Sequence, residues 1–291
     1  MRTSTRERVL LLLPALAFVG VVVVLPALRV VQLGFTEVEL RGGITTHWAG
    51  LSPYARLWQD GRWWSALRNT LVFTSASVFL ETALGVAFAL VLHRRFRGRR
   101  LVRAAVLLPW ALPTAVMALA WAWIFNDSFG VANDLLLRLG LVSRPLAWLA
   151  HPALAMAALV VAEVWKTTPF CALIVLAGLQ GIPESLLEAA RVDGLDAWQR
   201  FRHVVWPLLV PSLLVAVLFR AVQAYGAFDI VYVMTGGGPG GSTETVSLYA
   251  FQNDFRYLDF GYGSAVAVQG LLLAFVVAAL ALRAARRLEH A

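Results

Sequence analysis

Three side chains carry charge inside stretches that are otherwise apolar. Glu163 and Lys166 stand three residues apart in the run near 152–179, and Arg220 lies deep in the run near 204–224. At the centre of a bilayer each such group costs about 2.5–3.5 kcal/mol, so all three must turn away from lipid and toward the interior of a helix bundle. Glu163 and Lys166 share one helical face at this spacing and can neutralise each other. Arg220 then needs a further acceptor, such as Glu163, Asp229 or another subunit. Thr167, Phe170, Gln223, Tyr225 and Asp229 lie close by in sequence. Together they offer hydrogen-bonding groups for hydroxyls and an aromatic face for stacking, which suits a solute path. A clasp that only holds helices together explains the same charges, and both readings stand.

A second constellation lies at 181–194, where Gly-Ile-Pro-Glu-Ser-Leu-Leu-Glu-Ala-Ala-Arg-Val-Asp-Gly turns abruptly amphipathic. Pro183 suits a first helical position, Glu184 complements the positive helix N-terminus, and Gly194 is free to take the left-handed conformation that ends a helix. The spacing predicts a short helix, a sharp turn, and resumed helix over 195–203 before Pro207. Such a knob suits docking by a soluble partner: Ala189 and Ala190 keep its surface close-fitting, Glu188 offers a charge, and Leu186 and Leu187 anchor it to its own chain. An ordinary interfacial helix is the alternative.

No pattern points to catalysis. Cys171 is the only cysteine, so disulfide frameworks and cysteine metal clusters are excluded. His47, His93, His151, His203 and His290 are scattered without metal-ligand spacing, and neither a GxSxG nor a Walker-A sequence occurs. The glycine-rich stretch 236–241 lacks the Lys-Ser/Thr pair of a phosphate loop and reads as a turn-rich external loop. No catalytic residue and no metal site are expected.

The elements that must position these residues follow from composition. With 59% hydrophobic and 14% charged residues, most of the 291-residue chain has lipid as its solvent. A hydrocarbon core of about 30 Å needs roughly 20 apolar residues per helix. Six stretches approach that length, near 9–33, 69–92, 101–125, 152–179, 204–224 and 264–283. They are continuous rather than alternating, so the expected fold is all-α, with six transmembrane helices. The first run follows Arg2, Arg6 and Arg8 but is too long for a cleaved signal and reads as a retained anchor. Arginines crowd alternate loops, at 94–103, 191–202 and 283–287 as well as the N-terminus. The positive-inside rule then puts both termini and the 182–207 loop in the cytoplasm. The net charge of +8 is accounted for by this asymmetry, without nucleic acid. Loop 34–68 faces outward with a short surface helix, and Trp58, Trp63 and Trp64 are expected at the headgroup layer.

Glu188-Ala189-Ala190, three residues, Gly194, nine residues, then Val204-Val205-Trp206-Pro207 resembles the EAA loop of binding-protein-dependent ABC importer permeases. The family pattern is EAA-x3-G-x9-I-x-L-P, with Val204 here for isoleucine and Trp206 for leucine. Gly50 to Tyr54 with Asn69-Thr70, Glu163 to Phe170, and Thr235 to Pro239 with Asp259 to Tyr262 are similar to sugar-uptake permeases of the maltose, trehalose and glycerol-3-phosphate type. The resemblance implies a type I ABC importer permease fold, a single permease domain over 1–291, and an alternating-access path for a di- or oligosaccharide in a bacterial plasma (inner) membrane. It implies four kinds of partner: a second homologous permease, two ATPase subunits, an extracytoplasmic solute-binding protein and the sugar. ATP and Mg would be bound by the ATPases and no cofactor by this chain. Glu188, Ala189, Ala190, Asp193 and Gly194 are the implied coupling residues. Gapless matching puts sugar-contact positions on Glu163, Lys166, Thr167, Phe170, Arg220, Ala224 and Ala227, the two alanines replacing polar residues. The rivals are an autonomous secondary carrier or channel subunit, and a scaffold or sensor subunit.

Overall fold

The computed structural model describes residues 5–39, 45–94 and 96–289, and their contacts divide into two units. The first comprises Met1–Trp64 and Tyr249–Leu272. It begins with α1 (Thr5–Val19), a π-type turn over Gly20–Val24 and α2 (Leu25–Leu33). The wide turn ends two residues before Pro26, whose ring would otherwise collide with the carbonyl four residues back. The apolar part, Leu12–Leu33, is long enough to cross a membrane and buries none of its side chains within the chain. Antiparallel strands β1 (Thr36–Glu39) and β2 (Thr45–Trp48) follow, with Thr36 opposite Trp48. Then come α3 (Ser52–Gln59) and the first residues of α4 (Gly61–His93). Of the three tryptophans expected at the headgroup layer, Trp58 and Trp64 are exposed and pack together at 5.3 Å, whereas Trp63 is turned into the core.

Tyr249 and Tyr262 close this unit by donating from their hydroxyls to the Asp60 carboxylate. Burial opposes ionisation of Asp60, but the two hydroxyls and the Arg62 and Trp63 amides outweigh it and hold its carboxyl below the ordinary range. Arg56 lies over the Tyr262 ring at 4.1 Å and pairs with Asp259 at 2.7 Å. Such cation–ring contacts tie the junction of α3 and α4 to the segment at 249–262.

The second unit, Ser65–Leu248 with Leu273–Ala291, holds most of α4, then α5 (Arg99–Ala111), α6 (Thr114–Ile124), α7 (Val131–Arg138), α8 (Pro152–Gln180), α9 (Glu184–Val192) and α10 (Ala197–Arg200). A π-type turn over Phe201–Val205, again ending two residues before a proline, leads into α11 (Trp206–Tyr225). After α12 (Asp229–Met234), α13 (Val246–Phe251) and α14 (Phe260–Glu289) complete the chain. Helix α8 is the axis of this unit, with α5 and α11 packed on it. Its contact with α4 is close because Gly85 has no side chain, and a Cβ there would stand 2.7 Å from Cys171 Cβ. Small residues let membrane helices approach in this way.

Among the described residues five helices are long and apolar enough to cross a membrane, and six if one bent pair counts as a single span. That pair is α5 and α6, bent by 93° where one continuous span over 101–125 is expected. Pro113 removes an amide at the break, and Pro109 lies in the preceding turn, so the two prolines interrupt what the apolar run alone suggests.

A buried charge cluster beside an open cavity

Arg220 of α11 lies at the centre of a buried cluster. Its Nε and Nη2 donate to the two oxygens of Glu81 at 2.6 and 3.2 Å, Nη2 also donates to Glu163 Oε1 at 2.7 Å, and Nη1 donates to Gln223 Oε1 at 2.5 Å. Glu81 is fully buried and Arg220 is only 3% exposed. The planar guanidinium fork meets a carboxylate with two parallel bonds and still has nitrogens for two more acceptors, an arrangement Lys could not reproduce. Three helices, α4, α8 and α11, are thereby joined through one cation.

Glu163 and Lys166 form no ion pair among the described residues, although the ammonium acts on the carboxylate through space. The Lys166 ammonium donates instead to Thr114 Oγ1 at 2.7 Å, at the start of α6, while Glu163 is held by Arg220. Glu81, the acceptor that takes most of Arg220, has no motif around it. Its one sequence signal is its position as an acid within the second apolar stretch.

Beside this cluster opens a cavity of about 330 Å³. Trp110 and Thr114 reach it from the break between α5 and α6, Glu163, Lys166 and Thr167 from α8, and Arg220 and Gln223 from α11. The turn 226–228 and Asp229 close another side. The bend between α5 and α6 thus has a consequence for the site, since it brings Trp110 and Thr114 to its wall.

Of the residues expected along a solute path, Glu163, Lys166, Thr167, Arg220, Gln223, Ala227 and Asp229 line this cavity. Phe170 stands one step behind, between the rings of Trp110 at 5.7 Å and Phe219 at 5.0 Å. Ala224 is fully buried. Tyr225 is the clear departure: it lines a small apolar crevice with Leu218, Ala274 and Val277, and its hydroxyl is buried without a partner among the described residues. It follows Gln223 by two positions, about 200° of helical rotation, which carries it to the opposite face of α11.

The loop after α8 has the expected helix, shifted by one residue. Pro183 is the cap position rather than the first helical residue, and α9 runs Glu184–Val192. Gly194 takes φ +79°, and the Leu195 amide reaches back to Ala190 O at 3.1 Å, closing a Schellman-type end. Asp196 and Gln199 then form a reciprocal capping box that starts α10 at once. Glu188, Ala189 and Asp193 are exposed, Ala190 is buried against the chain, and Val192 is 89% exposed. Leu187 is half-buried, whereas Leu186, expected as a second anchor, is exposed. Trp206 packs on Phe201 at 6.0 Å, so the residue that departs from the family pattern covers the wide turn.

The chain is mostly helical, with five or six helices among the described residues fit to cross a membrane and a capped amphipathic knob between two apolar helices. The chain belongs to the family described as binding-protein-dependent transport system inner membrane component, which its residues 81–290 match. It is a multi-pass permease subunit, and the autonomous carrier, channel and scaffold readings fall with that membership. It is 42% identical to the trehalose/maltose transport system permease protein of Thermococcus litoralis over 91% of this chain and 88% of that protein. It is 41% identical to the sulfoquinovosyl glycerol transport system permease protein of Agrobacterium fabrum over 96% and 90%. In fold it resembles a subunit of a bacterial ABC transporter involved in the import of the acidic polysaccharide alginate. There the TM-score is 0.83 at 22% identity, covering 97% of this chain and 96% of that one.

Proposed function

We propose that this permease forms half of the path for a di- or oligosaccharide, delivered by an extracytoplasmic binding protein and driven by ATP that separate ATPase subunits hydrolyse with Mg. The observation that carries the reading is the cavity beside the charge cluster, where an exposed ring, Trp110, meets the exposed polar groups of Gln223 and Asp229. A sugar ring offers an apolar face to stack and hydroxyls that both donate and accept, and pockets for small ligands begin at about 300 Å³. The names of the trehalose/maltose and sulfoquinovosyl glycerol relatives favour the same solute class. In and behind the cavity wall the burial pattern separates two roles. Glu81 and Arg220 are a clasp that fixes the helices, while Lys166, Gln223, Asp229 and Trp110 face the solute.

On this reading α9 docks into an ATPase cleft through Glu188, Ala189 and Val192, which share its exposed face, and Gly194 fixes its angle. A second homologous permease completes the path, this chain itself binds no cofactor, and both termini and the 182–207 loop lie in the cytoplasm of a bacterial inner membrane. The test is the importer purified with its binding protein. The molecule retained by that protein is identified by mass spectrometry, and ATP hydrolysis is measured in proteoliposomes with and without it. Stimulation by a saccharide supports the proposal, and stimulation only by a non-carbohydrate solute overturns it. Single cysteines at Ser128 and Ser185 in a Cys171→Ala background test topology. An impermeant thiol reagent should mark the first and spare the second in intact cells.

A further inference from the structure

A second cavity, of about 340 Å³, lies at the other end of the same helices and is not part of the solute path. His93 at the end of α4, Arg99 at the start of α5, Leu179 and Gln180 at the end of α8, Ile182, and Glu184 and Leu187 of α9 line it. Two basic side chains, His93 and Arg99, line it, and a third, Arg103, lies near His93 outside the lining. Arg99, Arg103 and Glu184 all lie close enough to His93 to act on it electrostatically, the carboxylate opposing the two guanidiniums. His93 Nδ1, Arg99 Nε and Arg103 Nε are each buried without a hydrogen-bond partner among the described residues. Among the described residues Arg103 is engaged through Nη2, with Leu92 O at 3.2 Å. Buried donors left unpaired are unfavourable, and like charges held together in a half-buried site repel. Glu184 is the one carboxylate on the wall, and no ion pair joins it to these groups among the described residues.

We propose that this cavity binds a phosphate-bearing anion with hydroxyls attached. Guanidinium forks and an imidazole match phosphate oxygens. The volume exceeds that of a bare ion, and Gln180 and Glu184 can accept from hydroxyl groups beyond the phosphate. Two sources share this chemistry: the headgroup of an anionic lipid such as phosphatidylglycerol, and a soluble phosphorylated polyol. Because Glu184 and Leu187 form the first turn of α9, an occupant also supports the helix that we read as the coupling element. The occupancy itself does not depend on that reading.

The test uses the intact importer complex in nanodiscs. In the lipid arm, native mass spectrometry counts phosphatidylglycerol retained against a phosphatidylcholine background. In the soluble arm, glucose 6-phosphate binding is measured by calorimetry in phosphatidylcholine alone. Either arm should show binding that the Arg99→Gln/Arg103→Gln double variant weakens roughly tenfold or more, through loss of one charge-assisted donor on the wall and of a second positive charge close by. Arg100→Gln, an exposed neighbour outside the cavity, should leave it unchanged. Binding in the lipid arm alone assigns the site to a headgroup, and in the soluble arm alone to a free phosphate ester. Absence of binding in both arms, or equal loss in the Arg100→Gln control, overturns the proposal. If the double variant fails to assemble, hydrogen exchange on the wild type decides. Amides 179–187 should exchange more slowly with the bound probe, and no slowing with either probe overturns the proposal.

Discussion

Replacing Glu81 with Leu removes the carboxylate that takes two of the four bonds made by Arg220, while Glu163 and Gln223 remain. Both Glu81 and Arg220 are almost fully buried, so water cannot substitute for the missing partner. Breaking one side of a buried pair costs about 3–5 kcal/mol, chiefly because the other charge is left uncompensated. At about 2–4 °C per kcal/mol for a chain of this size, the melting temperature should fall by roughly 6–20 °C. Arg220→Met should cost at least as much, since it leaves Glu81 and Glu163 facing each other without a cation. The double variant Glu81→Leu/Arg220→Met should be less damaged than the sum of the two, by about 0.5–3 kcal/mol, the range for residues in direct contact. Cys171 provides the assay: it is the only cysteine, is fully buried, and sits where α8 meets Gly85 of α4. A thiol-reactive fluorophore therefore reports opening of this interface during a thermal ramp at fixed scan rate. Additive effects in the double variant, or single variants that melt with the wild type, would refute the clasp.

Gly85→Val should destabilise the α4–α8 contact by about 1–3 kcal/mol, as overpacking does. Because the collision is with Cys171 Cβ and backbone atoms, Cys171→Ala should not rescue it, whereas Cys171→Gly should do so in part, read by intrinsic fluorescence melting. Gly194→Val places a β-branched residue at φ +79° in otherwise open space, so its strain of about 1–3 kcal/mol is purely conformational. The ATPase copurified per permease should fall, and fall less for Gly194→Asn; Glu188→Lys should also reduce it, with both chains still reaching the membrane. Burial, and secondarily the Asp259 charge, push the Asp254 carboxyl up to about 7, and its Oδ1 has no partner among the described residues. A carboxyl raised on folding stabilises below its unfolded value near 4 and loses that contribution as pH climbs through about 7. Stability should therefore decline over that interval, and Asp254→Asn should flatten the decline in melting curves taken across it.

Local signals were legible in the sequence because they need no knowledge of neighbours. Apolar runs of bilayer length select helices, since a backbone in lipid must satisfy its own hydrogen bonds. The left-handed turn at Gly194 follows from the residue type and the helix pattern before it. The cost of intramembrane charge likewise required Glu163, Lys166 and Arg220 to face inward. Glu163 was legible as one acceptor for Arg220, and the other partners were not. Glu81 lies 139 residues from Arg220, and only the packing of α4 and α11 on α8 brings them together. Lys166 found Thr114 rather than Glu163 because the break between α5 and α6 delivers a hydroxyl to its ammonium. The same break brings Trp110 to the cavity, and helical phase sends Tyr225 to another crevice. Arginines at 99 and 103 read from sequence as topological markers, and their convergence on His93 depends on how the ends of four helices meet. Spacing along a chain sets which face of a helix a side chain occupies, but the azimuth and register of one helix against the next are set by the whole packed surface, and these decided the pairings between helices at the site.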